Sequence, residues 1–139
     1  MPTRDIIHDN VKNALIKDGW TITADPYIIA YDDVTLYADL GAERPLAAHR
    51  EGRQIVVEIK SFLSPSPIFD LKNALGQYEL YRAYLEVTAP ERELFLAISH
   101  TVFEEFFQRP AIVLVVKRFQ LALITVNLET EEIVAWTSS

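Results

Sequence analysis

Segment 54–62 constrains this chain more than any other. It reads Gln54-Ile55-Val56-Val57-Glu58-Ile59-Lys60-Ser61-Phe62, an apolar run that carries an acid and a lysine two residues apart. Its β-branched residues and its length predict a buried strand. Alternation along a strand puts Glu58 and Lys60 on one face and Ile59 on the other. A carboxylate and an ammonium in such a strand are costly to bury without partners. Upstream, a second apolar segment ends in Tyr37-Ala38-Asp39. Two carboxylates and one lysine brought to a point form a minimal site for a divalent metal and a charged substrate. The plainer account is an edge-strand ion pair between Glu58 and Lys60, with Asp39 as a loop charge.

The surrounding pattern tells which elements carry these residues. Ile7, Val11, Ala14 and Leu15 recur at helical spacing, with Thr3 as an N-cap and Gly19 ending the helix. Residues 20–31, rich in Thr, Ile and Tyr, read as a strand broken near Asp25-Pro26. Asp32-Asp33 is a turn, and residues 34–40 form a second strand. Residues 41–53, polar and carrying Pro45 and Gly52, are expected as a loop. Segment 54–62 is the third strand. Ser64-Pro65-Ser66-Pro67 breaks it, and Ser66 followed by Pro67 and Asp70 starts a helix that runs to about Leu85. Phe69, Leu71, Ala74, Leu75, Tyr78, Tyr81 and Leu85 give that helix a broad apolar face.

Pro90 closes the next connection. Residues 94–99 read as a strand and 101–107 as a short helix. Residues 111–117 suit a strand or a helix. Pro110 at a first helical position and Lys117-Arg118 in a last turn select the helix. Residues 121–127 and 133–136 then form a hairpin around a turn at 128–131. The order is α-β-β-β-α-β-α-β-β, an α/β (α+β) chain with a mixed sheet and helices on both faces.

The 139 residues suit one domain spanning 1–139, and half of them are apolar. No run approaches the ~18–20 apolar residues of a membrane helix, and the start lacks the pattern of a signal peptide. The chain has no cysteine, which excludes disulfides, thiolate catalysis and Cys-ligated metal centres and fits a cytoplasmic protein. Its three histidines, at 8, 49 and 100, make a zinc cluster a poor expectation. The net charge of −7 counts against strong stand-alone DNA binding. It leaves a nuclease open, because metal-binding carboxylates lower the charge before any cation arrives.

If the strands of Asp39 and Glu58 pair, both carboxylates come within reach of one Mg²⁺, with the Ile59 carbonyl as a third ligand and Mn²⁺ as the alternative ion. Lys60 can then hold the attacking water or offset phosphate charge. Gln77 and Tyr81 lie four apart on the following helix and share a face. They are candidates to contact substrate, against a reading of Tyr81 as core and Gln77 as exposed. His8, with Lys12 one turn on, can reach a cleft as a phosphate ligand or general acid, or simply be half-buried. Glu43 is a candidate second metal carboxylate or a solvated charge. His49-Arg50-Glu51-Gly52-Arg53 can meet a nucleic-acid backbone or be a polar turn. Exposure of Phe103, Phe106, Phe107, Phe119 and Trp136 would mark a partner interface.

The layout Asp39 … Glu58-Ile59-Lys60, with a helix before and Gln77/Tyr81 on the helix after, resembles the PD-(D/E)xK restriction-endonuclease-like superfamily. Ala38 stands where the superfamily name has proline. Gln77-x-x-x-Tyr81 is similar to the Q-x-x-x-Y element of its RecB-type exonucleases. A longer set of segments resembles the fdxN element excision controlling factors of the XisH type. It comprises residues 8–20, Tyr37-Ala38-Asp39-Leu40-Gly41-Ala42-Glu43, Val57-Glu58-Ile59-Lys60-Ser61-Phe62 and Gly76-Gln77-Tyr78. This resemblance implies a restriction-endonuclease-like fold and an accessory role in programmed DNA excision. It also implies a separate site-specific recombinase and an XisI-type companion as partners. It brings no established enzymatic activity. A Mg²⁺-dependent nuclease and a non-catalytic, protein-binding regulator both remain open. So does the oligomeric state, with a homodimer among the alternatives.

Overall fold

The structure, a computed structural model, describes residues 5–44 and 52–137. Thr3, Pro45 and His49-Arg50-Glu51 lie outside the described residues. The first helix, α1 (His8–Lys17), ends at Asp18, and Gly19 follows with φ of 95°. A left-handed residue at that place suits glycine. Helix α2 (Pro67–Thr88) starts as expected: Pro67 opens it and the Ser66 hydroxyl accepts the Phe69 N–H at 3.2 Å. It runs about a turn further than Leu85, to a cap at Ala89. Helix α3 (His100–Glu105) is capped by Ser99. Segment 111–117 is helical, within α4 (Pro110–Arg118).

The strands depart from expectation in number. The segment read as one broken strand is two, β1 (Thr21–Ala24) and β2 (Tyr27–Tyr31), with a cis Asp25–Pro26 bond between them. The next strand, β3 (Val34–Ala38), pairs with β2 in a separate two-stranded sheet. The supposed loop 41–53 contains a strand, β4 (Leu40–Arg44). Its Gly41 and Ala42 are weak strand formers, yet β4 lies between β1 and β5 (Arg53–Ile59) and is ordered by both. The chain completes the sheet with β6 (Arg92–Ser99), β7 (Leu123–Asn127) and β8 (Glu132–Thr137).

The main sheet has six strands in the order β1-β4-β5-β6-β7-β8. β5, β6 and β7 are parallel neighbours, and the outer pairings are antiparallel. Segment 54–62 is therefore central, not an edge. Its two faces meet two cores. Val56, Leu96, Ile98 and Leu123 pack under α2, the β2–β3 hairpin, and Phe106, Phe107 and Ile112. Ile55, Val57, Ile59, Phe95 and Ile124 pack against Val11, Ala14 and Leu15 of α1 and against Trp20. Arg53 lies over the rings of Trp20 and Trp136, 5.7 Å from each centroid, at the margin of that second core.

The β2–β3 hairpin rests on α2 through Ile29, Ala38 and the stacked Tyr31 and Tyr84 rings. At Asp39 the chain leaves the hairpin and enters the main sheet. The crossing is close. A Cβ on Gly41 would stand 2.8 Å from Tyr27 Cδ2 and 3.4 Å from Ala24 Cβ. Gly76, in the middle of α2, has nothing within 4 Å of such an atom. In urea denaturation, Gly41→Ala is expected to lose ~1–3 kcal/mol through overpacking. Gly76→Ala is expected to gain ~0.5–1 kcal/mol through helix propensity.

Candidate functional site

β4 and β5 run antiparallel with Leu40 opposite Val57, so the residues just beyond, Asp39 and Glu58, are opposite as well. Asp39 Oδ2 accepts the Ile59 N–H at 2.7 Å. Glu58, near the end of β5, and Lys60, one residue past it, share the side that faces α2, and Lys60 Nζ lies 3.6 Å from Glu58 Oε2. These side chains line a cavity of about 150 Å³ with Asp5, Pro26, Tyr37, Ala38, Ile59, Gln77 and Tyr81. Asp39, Glu58, Ile59, Lys60, Gln77 and Tyr81 are thus brought together from the β3–β4 junction, the end of β5 and α2.

The electrostatics are those of a crowded acid pair. Glu58 is 5% exposed. Its Oε1 is buried with no hydrogen-bond partner, and so is Gln77 Oε1. Burial, then the charge of Asp39, pushes the Glu58 carboxyl up from 4.5 to about 9; the nearby Lys60 pulls the other way without cancelling them. The Tyr81 hydroxyl is also raised above its usual 10, by burial first and then by Glu58 and Asp39. That hydroxyl donates to the Tyr37 carbonyl at 2.9 Å and ties α2 to β3 two residues before Asp39.

His8 and Lys12 stand behind Asp39, outside the cavity lining. His8 Nε2 lies 2.9 Å from Asp25 Oδ1, its Nδ1 lies 3.7 Å from Asp39 Oδ1, and Lys12 Nζ donates to Asp25 Oδ2 at 2.8 Å. Glu43 is not in the site: it accepts from Gln54 at 3.1 Å and Arg92 at 3.3 Å, further along β4. Four residues on a strand cover about 13 Å.

Two acids escaped the sequence reading. Asp5 lines the cavity and accepts the N–H groups of Ile7 and Ser61, each at 3.1 Å. Asp25 reads in the sequence only as part of a strand break at Asp25-Pro26. The available signal was the pair His8 and Lys12, one turn apart on one helix face, which calls for a shared acidic partner.

No group of three or more His, Asp or Glu side chains able to hold a metal is found among the described residues. An ion here would depend on two carboxylates and a carbonyl. The unpartnered Glu58 oxygen beside Asp39 fits that modest donor set. Of the aromatic residues weighed as an interface, Phe106 and Phe107 are buried, Phe103 and Trp136 half-buried and Phe119 exposed. Other exposed apolar side chains include Ile28 and Tyr37 on the hairpin and Leu63, Ile68 and Phe69 around the start of α2. No helix among the described residues is long and apolar enough to cross a membrane.

A six-stranded mixed sheet flanked by helices, with an acid pair and a lysine where β4 begins and β5 ends, defines an α/β protein with a polar site at the strand ends. Residues 1–134 match the family model described as XisH protein, and the chain belongs to the XisH family. Among solved structures, an XisH family protein from Nostoc punctiforme PCC 73102 is 40% identical, with a TM-score of 0.87. The match covers 95% of this chain and 98% of that one. A fdxN element excision controlling factor protein from Anabaena variabilis is 38% identical with a TM-score of 0.85, covering 96% of this chain and 98% of that one. No curated protein matches the chain.

The raised Glu58 carboxyl has a signed consequence for stability. The folded state keeps its proton to about 9, whereas the unfolded chain loses it near 4.5. The contribution is therefore fully present below 4.5 and fades as pH rises through 9, by at most about 1.4 kcal/mol per pH unit. Glu58→Gln should remove this slope. Denaturation at several pH values is expected to show the variant gaining on the wild type as pH rises; a constant difference would contradict the assignment.

Proposed function

We propose that this chain is a fdxN-type excision controlling factor whose cavity is a Mg²⁺-dependent phosphodiester site of the PD-(D/E)xK kind. The role in excision control is carried over from the Anabaena variabilis relative. The observation behind the chemistry is the buried Glu58, its Oε1 unpartnered, facing Asp39 and Lys60 across a cavity that a small ion and a phosphate oxygen can enter. Asp39, Glu58 and the Ile59 carbonyl would hold Mg²⁺ or Mn²⁺. When bound, such an ion supplies Lewis acidity and a water of lowered pKa.

The protein's own groups do the rest. Lys60, partly exposed, presents its ammonium to a phosphate oxygen or to the attacking water and offsets charge that grows in the transition state. Gln77 offers its buried, unpartnered carbonyl to orient a water. Tyr81 spends its hydroxyl on Tyr37 and keeps the Asp39 turn in place. Low surrounding dielectric strengthens each of these interactions.

A second reading has its own support. The net charge of −7 gives no general attraction for nucleic acid. The exposed Ile28 and Tyr37, opposite each other on the hairpin, suit a protein partner. In that reading the chain regulates the recombinase through an XisI-like companion and does no chemistry.

Purified protein incubated with Mg²⁺ or Mn²⁺ and single-stranded, duplex and branched DNA separates the two. The first reading predicts ion-dependent cleavage that falls ~10²-fold or more in Lys60→Ala and in Asp39→Asn. No cleavage, or cleavage unchanged in Lys60→Ala, contradicts it. Co-purification with the companion, and excision indifferent to Asp39, Glu58 and Lys60, would establish the second.

A further inference from the structure

Asp39 is held from two sides. Its Oδ2 takes the Ile59 N–H at 2.7 Å, and its Oδ1 faces His8 Nδ1 at 3.7 Å. His8 comes from α1, on the opposite face of the sheet from Glu58. It is 3% exposed, and its Nδ1 has no hydrogen-bond partner at that separation. The other ring nitrogen lies 2.9 Å from Asp25 Oδ1. Asp25 is in turn pinned through Oδ2 by Lys12 at 2.8 Å, one helical turn from His8. The line Lys12–Asp25–His8–Asp39 thus joins α1, the β1–β2 turn and the β3–β4 junction.

We propose that Asp25 and His8 are positioning residues for Asp39. Asp25 fixes the plane of the imidazole, and the Nδ1 edge of that ring sets where the Asp39 carboxylate can turn. Side chains that ligate a metal, carboxylates included, are usually held in place by an outer layer of partners, and loss of such a partner typically lowers ion affinity ~10–100-fold. Neither residue reaches the cavity, so neither touches substrate. In this role His8 is neither a phosphate ligand nor a general acid. The ion-affinity consequence rests on the reading of the cavity given above; the placement of Asp39 does not.

The Ile59 amide, bonded to Asp39, reports that placement directly. Nuclear magnetic resonance of ¹⁵N-labelled wild type, Asp25→Ala, His8→Gln and His8→Asn reads it without any ion, with the Val57 amide as an internal reference for the intact sheet. In His8→Asn the side-chain amide takes the place of Nδ1, whereas in His8→Gln it takes that of Nε2 and leaves the Asp39 side empty. Asp25→Ala and His8→Gln are expected to shift the Ile59 amide proton upfield and speed its exchange ~10-fold or more. His8→Asn is expected to keep it near wild type. An Ile59 amide unchanged in the folded variants, or equally disturbed in both His8 variants, overturns the proposal. Should Asp25→Ala fail to fold, the two His8 variants decide alone.

Titration of the same samples with Mn²⁺ separates the two layers. Affinity ~10-fold or more weaker in His8→Gln, but not in His8→Asn, supports positioning of an ion ligand. A responsive Ile59 amide in a wild type that binds no Mn²⁺ keeps the positioning role and removes the ion. Mn²⁺ binding with an indifferent Ile59 amide does the reverse.

Discussion

The bond from the Ile59 amide to Asp39 is the constraint on which the site depends. Asp39 occupies the one residue between β3 and β4, where the chain passes from a small hairpin sheet into the six-stranded sheet. A turn of that kind leaves a carboxylate free to swing. The Ile59 N–H stops it at 2.7 Å and fastens it to the end of β5, one of the two central strands. Tyr81 secures the same turn from the other side by donating to the Tyr37 carbonyl. Charge-assisted bonds from backbone N–H groups are the stronger kind, and this one places an acid directly opposite Glu58.

Burying Glu58 there, with a second acid opposite, is expensive. A carboxyl raised from 4.5 to about 9 costs about 3 kcal/mol at pH 7 relative to an ordinary glutamate. A leucine fully buried at such a position would instead contribute ~1.5–3 kcal/mol. Lys60 offsets only part of the cost, since its ammonium is 3.6 Å away and still partly exposed. The fold therefore gives up stability where β5 ends, which is the pattern expected of a site built for chemistry or binding rather than of packing alone. The rest of β5 repays it in ordinary ways: Ile55, Val56, Val57 and Ile59 are all fully or almost fully buried.

Much of this was legible because it is local. Period-two alternation is enough to put Glu58 and Lys60 together, and Ser66-Pro67 and Pro110 announce their helices through capping chemistry alone. What escaped was set by tertiary context. Gly41 and Ala42 look like loop residues by propensity, but the missing side chain of Gly41 is what lets β4 run so close to Tyr27 and Ala24. Glu43 is near Asp39 in sequence and far from it along an extended strand, where Gln54 and Arg92 claim it. Asp25 and Asp5 serve the site through partners distant in sequence, His8 for one and Ser61 for the other. No periodicity encodes such contacts. The split of residues 20–40 between two sheets is likewise a property of the assembled fold.

The central proposal is that Asp39 and Glu58 form one cation-binding pair at the end of β5. Its most direct measurement is a crystal of this protein equilibrated with Mn²⁺ and recorded at a wavelength that makes manganese scatter anomalously. The account predicts a single strong anomalous peak shared by the Asp39 and Glu58 carboxylates, absent from an Asp39→Asn crystal treated alike. An empty pair at saturating Mn²⁺, or a peak bound by other residues while these two stay bare, would contradict it.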